Sequence, residues 1–77
     1  MSTLTQAQDK LIATLVKVYR TDKAKGRHIL GKRSVAAKVA ENKCERAVEA
    51  MGFTMLQAYR AVCDARDMAK LMVECEA

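Results

Sequence analysis

The chain has 77 residues, 51% of them apolar, no proline and a formal charge of +5. That length leaves room for one domain, and that apolar share is too high for a disordered segment. No apolar run is long enough to span a bilayer.

Residues 1–8 are polar, with no charged leader ahead of an apolar run, so no signal peptide is expected. Three cysteines, an odd number without a secretory signal, then read as reduced thiols in a cytoplasm. A chain this short buries roughly 60–65% of its unfolded surface. Its core is thin, and a partner or a second copy would add stability.

Ala, Val, Leu, Met, Lys, Arg and Glu dominate, a palette that favours helix over strand. The first helix is expected over about 5–25. Thr5 and Gln8 stand at capping-box spacing. Leu4, Leu11, Leu15 and Val18 recur at three- and four-residue steps, and Ile12 and Tyr19 widen the stripe. Gly26 supplies a left-handed C-terminal residue.

Residues 26–33, bounded by Gly26 and Gly31, form a basic connector, with Ile29 and Leu30 placed to plug it onto the bundle. Ser34 is a good N-cap for a second helix over 34–51. Ala36, Ala40, Cys44, Ala47, Val48 and Met51 mark its apolar side, with Val35 and Val39 beside them. Glu41, Glu45 and Glu49 form an i, i+4 row that reads as a solvated face. A break at Asn42 would make a helix-turn-helix pair, but the usual glycine turn is missing.

Gly52 stops the second helix. Thr54 and Gln57 form another capping box, and Phe53 stands where a hydrophobic staple would meet Ala58. A third helix over 54–75 follows, with Met55, Ala58, Tyr59, Val62, Ala69, Met72 and Val73 on its apolar face. The expected fold is all-α, a small three-helix bundle.

Gly26-x4-Gly31-Lys32 resembles the glycine-rich phosphate loop of nucleotide-binding proteins. The next residue is Arg33, where that loop needs Ser or Thr for Mg²⁺, and no strand precedes it. A basic linker with two helix-end glycines is the better reading. His28, Cys44, Cys63 and Cys75 lack the paired spacing of a zinc site. No local His–carboxylate or Cys–His pair suggests catalysis, so neither an enzyme nor a cofactor is expected.

The string Val48-x2-Met51-Gly52-Phe53-Thr54-x2-Gln57-Ala58-x2-Ala61-Val62 resembles the first half of a ubiquitin-associated domain. In that family a Met-Gly-Phe loop joins two helices and touches a hydrophobic patch on ubiquitin. The likeness covers about fifteen positions. It departs at Cys63-Asp64-Ala65-Arg66-Asp67-Met68, where the family turns and this chain has no breaker. It reads as convergence on a good helix–turn–helix corner.

Charge gives the strongest functional signal. Lys17, Arg20, Lys23, Lys25, Arg27, Lys32, Arg33 and Lys38 face a single acid, Asp22, giving +7 between residues 17 and 38. Phosphates attract such a cluster and release counterions on binding. The leading expectation is a regulatory binding protein that contacts nucleic acid, or a nucleic-acid-handling complex, through this corner. The rival is an inhibitor or adaptor of the kind found among bacterial or phage accessory proteins. It would dock a helical apolar face on an acidic protein surface, with the basic end steering it. Met51, Met55, Met68 and Met72 are expected mainly as core filling. Any left uncovered would suit a homodimer or a protein partner.

Overall fold

A computed structural model describes residues 3–26 and 34–76. These form α1 (Thr3–Ala24), α2 (Val35–Ala50) and α3 (Met55–Glu74), each packed on the other two. The expected all-α three-helix bundle is the observed fold, and no strand occurs among the described residues.

Local chemistry sets most of the helix ends. Gly26 adopts φ +76°, and its N–H donates to the Lys23 carbonyl at 3.0 Å. Gly52 at φ +96° ends α2 in the same way. Both lie in the left-handed region that side chains resist. Ser34 Oγ accepts from the Ala37 N–H at 3.2 Å. The Thr54 hydroxyl accepts from the Gln57 N–H at 3.2 Å, and Gln57 Oε1 accepts from the Thr54 N–H at 3.0 Å. That is the expected reciprocal box.

One end differs. Because α1 begins at Thr3, Thr5 lies inside the helix and does not cap it. Gln8 instead donates from Nε2 to the Ala61 carbonyl at 3.3 Å, tying α1 to α3. The second helix passes Asn42 unbroken. The third runs through Cys63–Met68, where a ubiquitin-associated domain would turn.

Gln8 meets Ala61 and Arg20 meets Glu76, so α1 and α3 run parallel. The Cys44 thiol lies 3.9 Å from the Ala7 carbonyl, while Ala36 shares a groove with Thr14, so α2 runs antiparallel to α1. Leu11, Leu15, Val16 and Tyr19 of α1 supply the bulk of the core. In return α3 buries Ala58, Ala61, Ala65 and Ala69, with Val62 and Val73. Alanine loses no side-chain entropy on burial and lets a facing helix approach closely.

That alanine stripe displaces the larger side chains expected inside. Met55, Tyr59, Met68 and Met72 stand exposed on its flanks, and Met51 is exposed at the end of α2. The four methionines therefore do not fill the core.

The second helix departs further from expectation. Its buried residues are Ala37, Glu41 and Val48. Val35 and Val39 stand out in solvent, Val39 at 60% exposure. At 100° per residue, the observed buried stripe is turned by about 65° from the apolar one. That stripe takes in Glu41, which is only 3% exposed. Its carboxylate oxygen lies 3.2 Å from Arg66 Nε of α3. The row Glu41, Glu45, Glu49 is thus no solvated face: its first member enters the α2–α3 interface, Glu45 is half-buried, and Glu49 remains exposed.

A buried charge stripped of its partner is costly, whereas replacing both members by apolar groups is often neutral or better. Arg66→Ala is expected to lower the unfolding free energy by about 3 kcal/mol. Glu41→Leu combined with Arg66→Leu is expected to unfold at or above the wild-type denaturant midpoint. Urea denaturation followed by circular dichroism measures both.

Candidate functional site

Turning Glu41 inward moves small residues to the edge of α2. Ala36, Ala40 and Ala47 face α1 with too little volume to fill the gap. A groove of about 620 Å³ is left between the two helices. Leu11, Ala40 and Cys44 lie along it, with Thr14 on the α1 side and Val39 on the α2 side. Lys10 and Lys43 line it as well, one from each helix, and no described carboxylate does. Burial, helped by the charge of nearby Glu45, pushes the Cys44 thiol above its ordinary pKa. That thiol is therefore protonated at neutral pH and serves as a small apolar surface.

The basic corner is less concentrated than its sequence. Lys17, Arg20, Lys23 and Lys25 are exposed over the last two turns of α1 and the residue that follows. Arg20 donates from Nε to both carboxylate oxygens of Glu76, at 2.8 and 2.9 Å, and its Nη2 also contacts Oε1. Lys23 Nζ donates to the Glu76 main-chain carbonyl at 3.4 Å.

Lys17 and Arg20 also border a groove of about 430 Å³ between α1 and α3, together with Asp9 and Met72. Lys38 belongs to α2. Its neighbour Ala36 is level with Thr14, which puts Lys38 about 7 Å along the bundle axis from Lys17 and roughly 15–20 Å from Lys25. Arg27, Lys32 and Arg33 lie outside the described residues, as do His28, Ile29, Leu30 and Gly31. Of the eight predicted cations, four lie along the C-terminal half of α1 and the residue after it, and Lys38 lies on α2.

Sequence reasoning missed the groove. The signal was present: three alanines on the α1-facing side of α2, a valine beside them and a lysine on each helix. It missed the Glu76 contacts too, because the partners lie more than fifty positions apart.

The described cysteines, Cys44, Cys63 and Cys75, are all free. Among the described residues, no three His, Cys, Asp or Glu side chains gather to hold a metal, and no helix is long and apolar enough to cross a membrane. No protein-family model, curated protein or solved structure matches this chain.

The hydrogen bonds from Arg20 hold the Glu76 carboxyl below its ordinary pKa, and the charges of Arg20 and Lys23 act the same way. A carboxyl with a depressed folded value stabilises the fold above its unfolded pKa. That contribution disappears as pH falls through the folded value. The Glu76 side-chain carbon followed by NMR is expected to titrate below 4.5 in the wild type, and to move back toward 4.5 in Arg20→Gln.

Proposed function

We propose that this chain is a non-enzymatic adaptor or inhibitor whose α1–α2 groove receives an amphipathic helix of a protein partner. The observation that carries this reading is a cation-rimmed apolar trough. Its floor is small and apolar, so large side chains of an incoming helix have somewhere to go. Its rim carries Lys10 and Lys43 without a described carboxylate. Helix-in-groove recognition uses apolar anchors at i, i+3 or i+4, and i+7. The lysines favour carboxylates on the flanks of such a helix and disfavour basic ones.

Selection from a display library of helical peptides tests this directly. Enriched sequences are expected to carry an apolar stripe flanked by Glu or Asp. Ala47→Phe, which fills the groove, and the pair Lys10→Glu with Lys43→Glu are each expected to weaken binding of those peptides at least tenfold. Enrichment of basic peptides, no enrichment, or indifference to both variants would count against the reading.

A second reading rests on the cations at the end of α1. Exposed pairs such as Arg20–Glu76 are held weakly in water and exchange readily. Phosphates can therefore compete for Arg20 and Lys23 alongside Lys17 and Lys25, with Arg27, Lys32 and Arg33 adding charge from the same stretch of chain. Under this reading the protein contacts nucleic acid without regard to sequence. Fluorescence anisotropy with a random-sequence duplex is then expected to show binding that falls steeply between 50 and 200 mM salt. Lys32→Glu with Arg33→Glu should flatten that slope. Salt-insensitive or undetectable duplex binding excludes this second reading and leaves the first standing.

A further inference from the structure

The outer ridge of α3 carries a pattern that neither the groove nor the basic corner uses. Leu56, Arg60, Cys63, Asp67 and Leu71 follow one another at steps of four, three, four and four residues. They fall within an arc of about 80°, opposite the buried stripe of Ala58, Ala61, Val62, Ala65 and Ala69, with exposed Glu74 in the same arc beyond Leu71 and exposed Asp64 at its border. Leu56 is 71% and Leu71 56% exposed. Arg60 and Asp67 are exposed and have no ion pair among the described residues. Two bare leucines about 22 Å apart, with opposite charges placed symmetrically between them, are hard to explain as a merely solvated surface.

Read in reverse, the ridge becomes Leu, Asp, Cys, Arg, Leu: the apolar ends are unchanged and the charges are exchanged. A surface with that property is complementary to an antiparallel copy of itself. We propose that a second copy of this chain docks along α3 about a two-fold axis passing between residues 63 and 64. The axis sets Leu56 level with Leu71 of the second copy, and Arg60 level with its Asp67. Symmetry repeats both pairings, as an isologous interface requires, and sets Asp64 beside Asp64 of the second copy, one like-charge contact against two Arg60–Asp67 pairs. A parallel arrangement would set Arg60 against Arg60 and Asp67 against Asp67, so charge selects the antiparallel one.

Tyr59 and Met68 flank the ridge on opposite sides and widen the contact. One helix pair is smaller than a standard interface of about 1,200 Å² or more, so the dimer is reversible and concentration-dependent. It leaves both α1–α2 grooves on outward faces and does not depend on what those grooves bind.

Charge reversal tests the arrangement without emptying any core position. Sedimentation equilibrium between 10 and 500 µM is expected to show a monomer–dimer equilibrium for the wild type. Arg60→Asp alone and Asp67→Arg alone each set like charges against each other twice, and each is expected to raise the dimer Kd at least tenfold. The double variant restores complementarity with the signs exchanged, and is expected to return the Kd to within threefold of wild type. Circular dichroism melts check that each variant remains folded.

In a Cys44→Ser, Cys75→Ser background, a short bismaleimide is expected to join Cys63 to Cys63 of the second copy. A wild type that stays monomeric at 500 µM overturns the proposal. So do single reversals without effect, or a double variant as weak as its parents.

Discussion

Glu41 sits in the α2–α3 interface at 3% exposure, with Arg66 3.2 Å away. Taking a carboxylate out of water costs several kcal/mol, and it persists only where a cation and hydrogen-bond donors meet it. Arg66 supplies that cation, and its terminal nitrogen also donates to the Cys63 sulfur at 3.2 Å. The pair therefore acts less as glue than as a register mark. It fixes which side of α2 faces α3, and so which side is left for α1 and for solvent.

The consequences run outward from that orientation. With Glu41 turned in, Val35 and Val39 turn out, and the alanines of α2 face α1 across a gap they do not fill. The groove is the direct result. On the other side, Arg66 reaches toward α2 along one flank of α3, and the alanine stripe beside it takes the Leu11–Tyr19 face of α1. The ridge opposite that stripe is left facing solvent, with Leu56 and Leu71 bare. A thin core thus comes with two uncovered apolar surfaces on different sides of the bundle, each carrying charges suited to one kind of partner.

Helix number and most helix ends could be read from the sequence because their causes are local. Ser34, Thr54 with Gln57, Gly26 and Gly52 act within a few residues of themselves, and each sits where its chemistry places it. Which face of each helix enters the core was less legible. Tyr19 and Tyr59 both fit apolar stripes, yet only Tyr19 is buried, because four alanines on α3 outcompete larger residues for the closely packed interface. A row of three glutamates looks solvated until an arginine from another helix claims one of them.

The candidate site was legible as charge and not as shape. The cations of residues 17–38 were plain in the sequence. Their partition among Glu76, the end of α1 and the neighbouring helix α2 depends on contacts between residues far apart in the chain. The groove needed the rotation of α2, which depends on Glu41 and Arg66 finding each other.

That rotation is the central claim, and thiol footprinting measures it with Glu41 and Arg66 intact. In a background with the native cysteines changed to serine, single cysteines would be placed at Ala36, Ala37, Val39, Ala47 and Val48, and their alkylation rates compared. The account predicts slow labelling at 37 and 48 and fast labelling at 36, 39 and 47. Protection at 36 and 47 with fast labelling at 37 would mean that the apolar stripe sets the rotation, contradicting the inward-facing Glu41 and removing the groove.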